Sequence, residues 1–383
     1  MTAGRYDVRA KPPGSPWDLE ALRQCPSVEW EKKSGGVREL YYANERYRGE
    51  ETRIYALYGS PDSEKGQVPA MVLVHGGGGR AFAEWVEMWV DRGYAALAMD
   101  LGGCGPEGER LSRGAGPHQD HQAKFLDIAN GVKDAWPYHA VAAVIRGVSL
   151  LAERPEVDSE RIGITGISWG GYLTCVVSGL DRRLRCAVPV YGCGFLHENS
   201  VWVPILNDMS REHRERWISN FEPSNYLPHA QLPMLWVSGT NDFAYPLDSY
   251  RKSYRAVPGP CTLRVTVGME HGHEPGWAPE EIGMFADHHM RAGRPLASAG
   301  PVEVDGGRAW ASCGSPGGIV GGGFHYTVDD GEWQERKWTS ETARVSDGRV
   351  EANLPDERPL TLFFTVTDDR GALVSTEHRV VTP

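Results

Sequence analysis

No run of about 18 apolar residues occurs in the 383-residue chain, so the sequence contains no candidate membrane-spanning helix. Lysine and arginine never gather into a cluster that could track phosphates. The net charge of −11 is spread along the chain, which argues against nucleic acid as a partner. The seven cysteines, at 25, 104, 175, 186, 193, 261 and 313, are odd in number and include no C-x-x-C pair. That scatter argues against a disulfide framework and a zinc site. His118 and His121 lie close in sequence, but no acidic or cysteine ligand completes a metal-binding spacing, so no metal is expected. The opening residues, Met1-Thr-Ala-Gly-Arg-Tyr-Asp-Val, lack the apolar core of a signal peptide. The expected location is the cytoplasm, or else the sequence is the mature form of an exported protein.

What the chain does have is a sharp signal at Arg161–Tyr172, RIGITGISWGGY. Ile162 and Ile164 mark a short buried strand, and Leu173, Val176, Val177 and Leu180 follow at helical spacing. Between them stands Gly166-x-Ser168-x-Gly170, the spacing of a nucleophile elbow. Glycines two residues before and after the serine let strand and helix approach closely while the serine takes a strained backbone conformation. The helix that follows directs its positive end at the hydroxyl.

Three further loops follow strand-like runs. Pro69–His75 is a continuous apolar run of a strand covered on both faces, and it ends in Gly76-Gly77-Gly78-Gly79. Bare backbone N–H groups there could approach an oxyanion, together with the N–H of Trp169. Pro233–Val237 leads to Gly239-Thr-Asn-Asp242, and Thr262–Val267 leads to His271-Gly-His273. An acid and a histidine after successive strands complete the order Ser168, Asp242, His271, with His273 as the alternative base. Gly77 or Gly78 with Trp169 would form the oxyanion hole. Strand and helix patterns alternate from Pro69 to Ala292, predicting an α/β fold whose mostly parallel sheet is wrapped by helices. Val37–Tyr47 and Thr52–Tyr58 read as its opening antiparallel strands.

The pattern divides the chain into an N-terminal arm (1–36), a catalytic domain (37–295) and a C-terminal unit (301–383). Within the second, residues 192–226 break the parallel pattern. This is either an insertion over the active site or a surface excursion with core aromatics. Tyr191, His197 and Trp202 are its candidate pocket residues. After residue 301, short Thr/Val/Phe runs separated by Asp-Gly and Pro-Asp turns predict a small all-β sandwich without a catalytic constellation. Its Trp310, Trp333 and Trp338 could stack on carbohydrate, but core or interdomain packing is the favoured expectation. Removing the unit is expected to harm stability or solubility more than activity on a small ester.

The Ser168 elbow, the His75-Gly-Gly-Gly-Gly loop and the loops of Asp242 and His271 resemble the α/β-hydrolase superfamily over residues 37–295. Within it, the chain is similar to bacterial acetylxylan-esterase and dienelactone-hydrolase-like esterases, some of which carry a small C-terminal β domain. True dienelactone hydrolases have cysteine where this chain has Ser168. The resemblance implies a serine carboxylesterase acting through an acyl-enzyme on small acyl esters, foremost acetyl, of small molecules or carbohydrates, with no cofactor. The alternative is a serine exopeptidase of the dipeptidyl-peptidase type. Such enzymes carry a large N-terminal β domain, whereas about 36 residues precede the first predicted strand here.

Overall fold

The computed structural model describes residues 14–34, 36–62 and 66–382. The first 13 residues of the predicted arm lie outside them.

Nine strands build the first part of the main sheet: β1 Val28–Ser34, β2 Val37–Tyr47, β3 Glu50–Gly59, β4 Val68–Val74, β5 Ala95–Met99, β6 Val157–Ile167, β7 Leu184–Val190, β8 Met234–Gly239 and β9 Cys261–Thr266. They lie in the order β1-β2-β3-β5-β4-β6-β7-β8-β9. The run from β5 to β9 is parallel throughout, and β1, β2 and β3 pair antiparallel. The parallel strands are apolar on both faces because helices cover both. Trp136–Ala152 and Trp169–Leu180 pack on one side, and Ala83–Asp91 and Glu280–Arg291 on the other. This is the predicted α/β-hydrolase architecture.

Two expectations change. Residues 28–34, assigned by sequence to the arm, form strand β1. Trp30 packs edge-on to Tyr58 at 5.7 Å and under Arg154 at 4.8 Å, so an apolar side chain among charged neighbours anchors the strand. Trp17 is fully buried and stacks on Tyr138 at 6.0 Å. The second change concerns the C-terminal strands. They form two sheets around a shared core, but one of these sheets continues the catalytic sheet. Leu373–Ser375 pairs antiparallel with β9, Ser375 opposite Leu263, and Leu360–Asp368, Ile319–Thr327 and Thr339–Thr342 follow. The second sheet contains Arg308–Gly314 and Arg349–Asn353. Leu296, Val302, Phe324 and Phe364 share one apolar cluster with Phe285 and Met290 of the hydrolase helix Glu280–Arg291.

Candidate active site

Ser168 stands between β6 and the helix Trp169–Leu180 with φ 58° and ψ −115°, a conformation a side-chain-bearing residue holds only when its surroundings impose it. Those surroundings are visible. A Cβ on Gly166 would collide with the Gly170 carbonyl, and one on Gly170 with the Val74 carbonyl of β4. The elbow is therefore built on two contacts that only glycine allows. The Ser168 N–H donates to the Val190 carbonyl at 2.9 Å, tying the turn to β7.

The candidate acid and base follow the ends of β8 and β9. Asp242 is buried, and its Oδ1 accepts the N–H groups of Ala244 and Tyr245 at 2.9 and 2.8 Å. Its Oδ2 lies 2.6 Å from His271 Nδ1. That bond fixes the imidazole tautomer with Nε2 as the basic atom, and Nε2 has no partner among the described residues. The ring stacks on Tyr191 at 4.5 Å and meets the tilted ring of Phe243 at 4.8 Å. Tyr191, at φ 32°, donates its hydroxyl hydrogen to the Gly272 carbonyl at 2.8 Å, so it braces the histidine loop.

His273 is engaged elsewhere. Its Nε2 accepts the N–H of Gly76 at 3.0 Å. Burial, reinforced by neighbouring His75 and His271, lowers its pKa to about 4, so it remains a neutral acceptor. His75 is neutral for the same leading reason, burial, and is pushed to about 4. Its Nε2 accepts the Leu101 N–H at 2.9 Å. Gln119 holds the glycine loop from the other side, accepting from Gly78 N–H at 3.3 Å and donating to the Gly76 carbonyl at 3.2 Å.

Gly77 and Gly78 now differ. The Gly78 N–H is occupied by Gln119, whereas that of Gly77 makes no hydrogen bond among the described residues. Trp169 is the first residue of its helix, so its N–H has no intrahelical acceptor. A Cβ on Gly76 would come 3.0 Å from the Ser168 Cβ, which places this loop beside the serine.

Of the candidate pocket residues, Trp202 packs on Trp169 at 4.7 Å and on Tyr245 at 4.9 Å, so part of the 192–226 segment does reach the elbow. His197 turns instead to Glu222, 3.6 Å away, beside Glu198. The fully buried Glu222 carboxylate explains this, and facing the imidazole it raises the His197 pKa. Trp217, from the same segment, is buried against Phe125 and Phe221 as core.

Sequence reasoning missed three residues here. Phe243, 56% exposed beside His271, forms an apolar lip. Its position next to Asp242 was the available signal. Asn241 donates from Nδ2 to the carbonyls of Gln334 and Arg336 at 3.0 and 2.7 Å, linking the acid loop to the C-terminal unit. Lys124 is buried near Gly77, and nothing in its sequence surroundings marks it. Among the described residues no group of three or more His, Cys, Asp or Glu side chains could hold a metal ion.

Comparison with known proteins bears on this geometry. Residues 20–211 match the model of the acetyl xylan esterase (AXE1) family. The chain belongs to that family. An acetyl esterase of Xylanibacter ruminicola is 22% identical over 235 residues, covering 57% of this chain and 53% of that protein. The acylamino-acid-releasing enzyme of Rattus norvegicus is 25% identical over 268 residues, which is 62% of this chain and 33% of that enzyme. The chain thus spans about half the length of the first relative and a third of the second. An acetyl xylan esterase structure from a Paenibacillus strain superposes with a TM-score of 0.57 at 22% identity, covering 71% of this chain and 92% of that one, and supports the shared fold.

Proposed function

We propose that the protein is a serine esterase that removes short acyl groups, foremost acetyl, from small-molecule or carbohydrate esters. The observation that carries this reading is the 2.6 Å pair of Asp242 Oδ2 and His271 Nδ1, made by residues at the ends of the strands that follow the Ser168 elbow. In this mechanism His271 Nε2 takes the Ser168 proton as Oγ attacks the ester carbonyl. Asp242 holds the ring and stabilises the imidazolium. The N–H groups of Trp169 and Gly77 receive the developing oxyanion, a contribution of about 3–4 kcal/mol per donor in comparable sites. The alcohol leaves with the proton from His271. Water, deprotonated by the same nitrogen, then attacks the acyl-enzyme, and the acid departs as Ser168 regains its proton. The family of the chain and its acetyl esterase relative support acetyl as the acyl group.

The peptidase relative makes the discriminating experiment direct. Turnover of 4-nitrophenyl acetate and acetylated xylo-oligosaccharides is compared with that of an N-acetylated aminoacyl 4-nitroanilide. Hydrolysis of the esters with at least about 100-fold lower kcat/KM on the anilide is expected. The reverse preference would assign the site to peptide chemistry.

A further inference from the structure

Lys124 lies on the short helix His121–Phe125, with only 4% of its surface exposed. Its ammonium sits 4.7 Å from the ring centre of Trp169 and 5.3 Å from that of Trp136. A Cβ built on Gly77 would lie 3.7 Å from Nζ and 3.2 Å from Trp169 Cδ1. The charge therefore rests against the two residues whose N–H groups face the reacting carbonyl in the mechanism above, but on the side of the Trp169 ring and the Cα of Gly77.

Among the described residues this ammonium has no hydrogen-bond acceptor and no ion-pair partner. The nearest anion to act on it is Asp120, whose Oδ1 caps its own helix by accepting the Ala123 N–H at 2.8 Å. His75, on the β4 side, is neutral, and the ammonium lies over the indoles of Trp136 and Trp169. A buried cation stabilised only by aromatic faces and by one carboxylate that does not bond it carries a desolvation cost that is not fully offset. An anion arriving from the active site would offset it. In a chain of net charge −11, such a cation also makes the site locally attractive to anions that the rest of the surface repels.

Building on the esterase reading, we infer that Lys124 is a specificity-determining side chain that binds a carboxylate carried by the ester substrate a few atoms from the scissile carbonyl. An acetyl ester of a sugar acid has that chemistry on its alcohol half, and a hemiester of a short dicarboxylic acid has it on its acyl half. Burial lowers the Lys124 pKa to about 8, so the charge is present at neutral pH and fades above that value.

The test uses matched ester pairs. 4-Acetoxybenzoate against 4-acetoxybenzamide places the carboxylate on the alcohol. 4-Nitrophenyl hemisuccinate against 4-nitrophenyl butyrate places it on the acyl group. In at least one pair the anionic-to-neutral ratio of kcat/KM should fall about tenfold or more in Lys124→Met and be largely retained in Lys124→Arg. The pair that responds identifies which half bears the charge. In the wild type that ratio should fall between pH 7 and pH 9. Ratios unchanged in both pairs would overturn the inference, as would an equal loss on both members, which would point to the oxyanion or to the fold. Should Lys124→Met not fold, inhibition of wild-type 4-nitrophenyl acetate hydrolysis by glutarate replaces it. Stronger inhibition by glutarate than by the neutral diamide glutaramide supports the inference, and equal or absent inhibition sinks it. If the wild type hydrolyses no ester at all, the esterase reading fails by itself. Calorimetric titration of glutarate into wild type and Lys124→Met then still tests the cation: heat in the first alone supports the inference, and equal heat or none in both overturns it.

Discussion

The serine and the acid of the candidate triad are held in place by different parts of the molecule. Around Ser168 the contacts stay within the catalytic sheet and are already tight: a strand, a strained residue, a helix, and two glycines whose missing Cβ atoms let β4, β6 and the helix touch. Around Asp242 the short-range bonds from the Ala244 and Tyr245 N–H groups are joined by support from the C-terminal unit. Asn241 hangs from two carbonyls more than ninety residues on, in the Trp333–Glu335 turn and just beyond it. Thr240 Oγ1 donates to Asn241 Oδ1 at 2.6 Å and accepts from Gly268 N–H at 3.0 Å, so the same chain of bonds continues towards the histidine loop. The elbow takes its shape from the neighbouring strands of the catalytic sheet, whereas the acid loop also draws on the C-terminal unit.

The largest effects are expected where the chemistry is concentrated. Ser168→Ala should lower kcat on 4-nitrophenyl acetate by roughly 10⁴-fold or more and abolish labelling by an organophosphonate, with the circular dichroism spectrum unchanged. His271→Ala should fall in the same range. His273→Ala should cost only about tenfold, because it removes one acceptor from the Gly76 N–H and leaves the Asp242–His271 pair intact. Steady-state kinetics on the three variants ranks them, and a larger loss at His273 than at His271 would transfer the base to His273.

Next in size is the borrowed support. Asn241→Ala should reduce kcat about three- to tenfold with little change in KM, since the bonds it removes orient Asp242 without touching substrate. Ser168→Ala and Asn241→Ala thus separate chemistry from positioning. Removal of residues after Pro295 strips the strand that pairs with β9 and uncovers Phe285 and Met290, so aggregation is expected to precede any measurement of turnover. The sequence alone favours stability over activity as the loss. The Asn241 contacts add a catalytic component that Asn241→Ala isolates in the intact chain.

The same contrast explains what the sequence disclosed. The elbow, the glycine loop and the order of acid and base are legible because their residue types answer local demands: glycine where strand meets helix, apolar runs where a strand is covered twice. The pairing of Asp242 with His271 rather than His273 is not local. It depends on which ring the Gly76 N–H reaches, a contact across 197 positions. Strand β1 was hidden because Val28–Ser34 alternates Trp30 with charged residues, as an exposed edge strand does. Lys124 and Asn241 matter only through partners the chain brings to them from afar.

A smaller effect concerns acid stability. His75 and His273 are held neutral down to about pH 4, below the ordinary histidine value of about 6.5 that an unfolded chain would show. Between those values the unfolded state binds more protons than the folded one. Stability is therefore full above about pH 6.5 and declines as pH falls towards 4. Thermal unfolding between pH 4.5 and 7 should show that slope, and His273→Gln should flatten it while keeping an acceptor for Gly76. An unchanged slope would mean that His273 already titrates normally in the folded protein.

The least effect is expected at Trp310, and it sharpens the comparison from the far side. Trp333 stands against His378 at 5.0 Å with the Arg336 guanidinium 3.7 Å above its ring, so it braces the turn that holds Asn241. Trp338 packs edge-on to Phe363 at 5.4 Å. Trp310 lies in the second sheet, on Arg308–Gly314, with Arg349 5.9 Å from its ring, and among the described residues it makes no bond to the acid loop. If the C-terminal unit influences turnover through the Asn241 carbonyls, the two tryptophans must behave differently although both are half-buried in the same sandwich. Trp333→Ala should lower kcat on 4-nitrophenyl acetate by about the same few-fold factor as Asn241→Ala, and the double variant should be no worse than either, since both act through one turn. Trp310→Ala should stay within about twofold of the parent and lower Tm by only a few degrees. A Trp310 effect on kcat equal to that of Trp333 would show that the whole sandwich, rather than the Trp333–Arg336 turn, sets the position of Asp242.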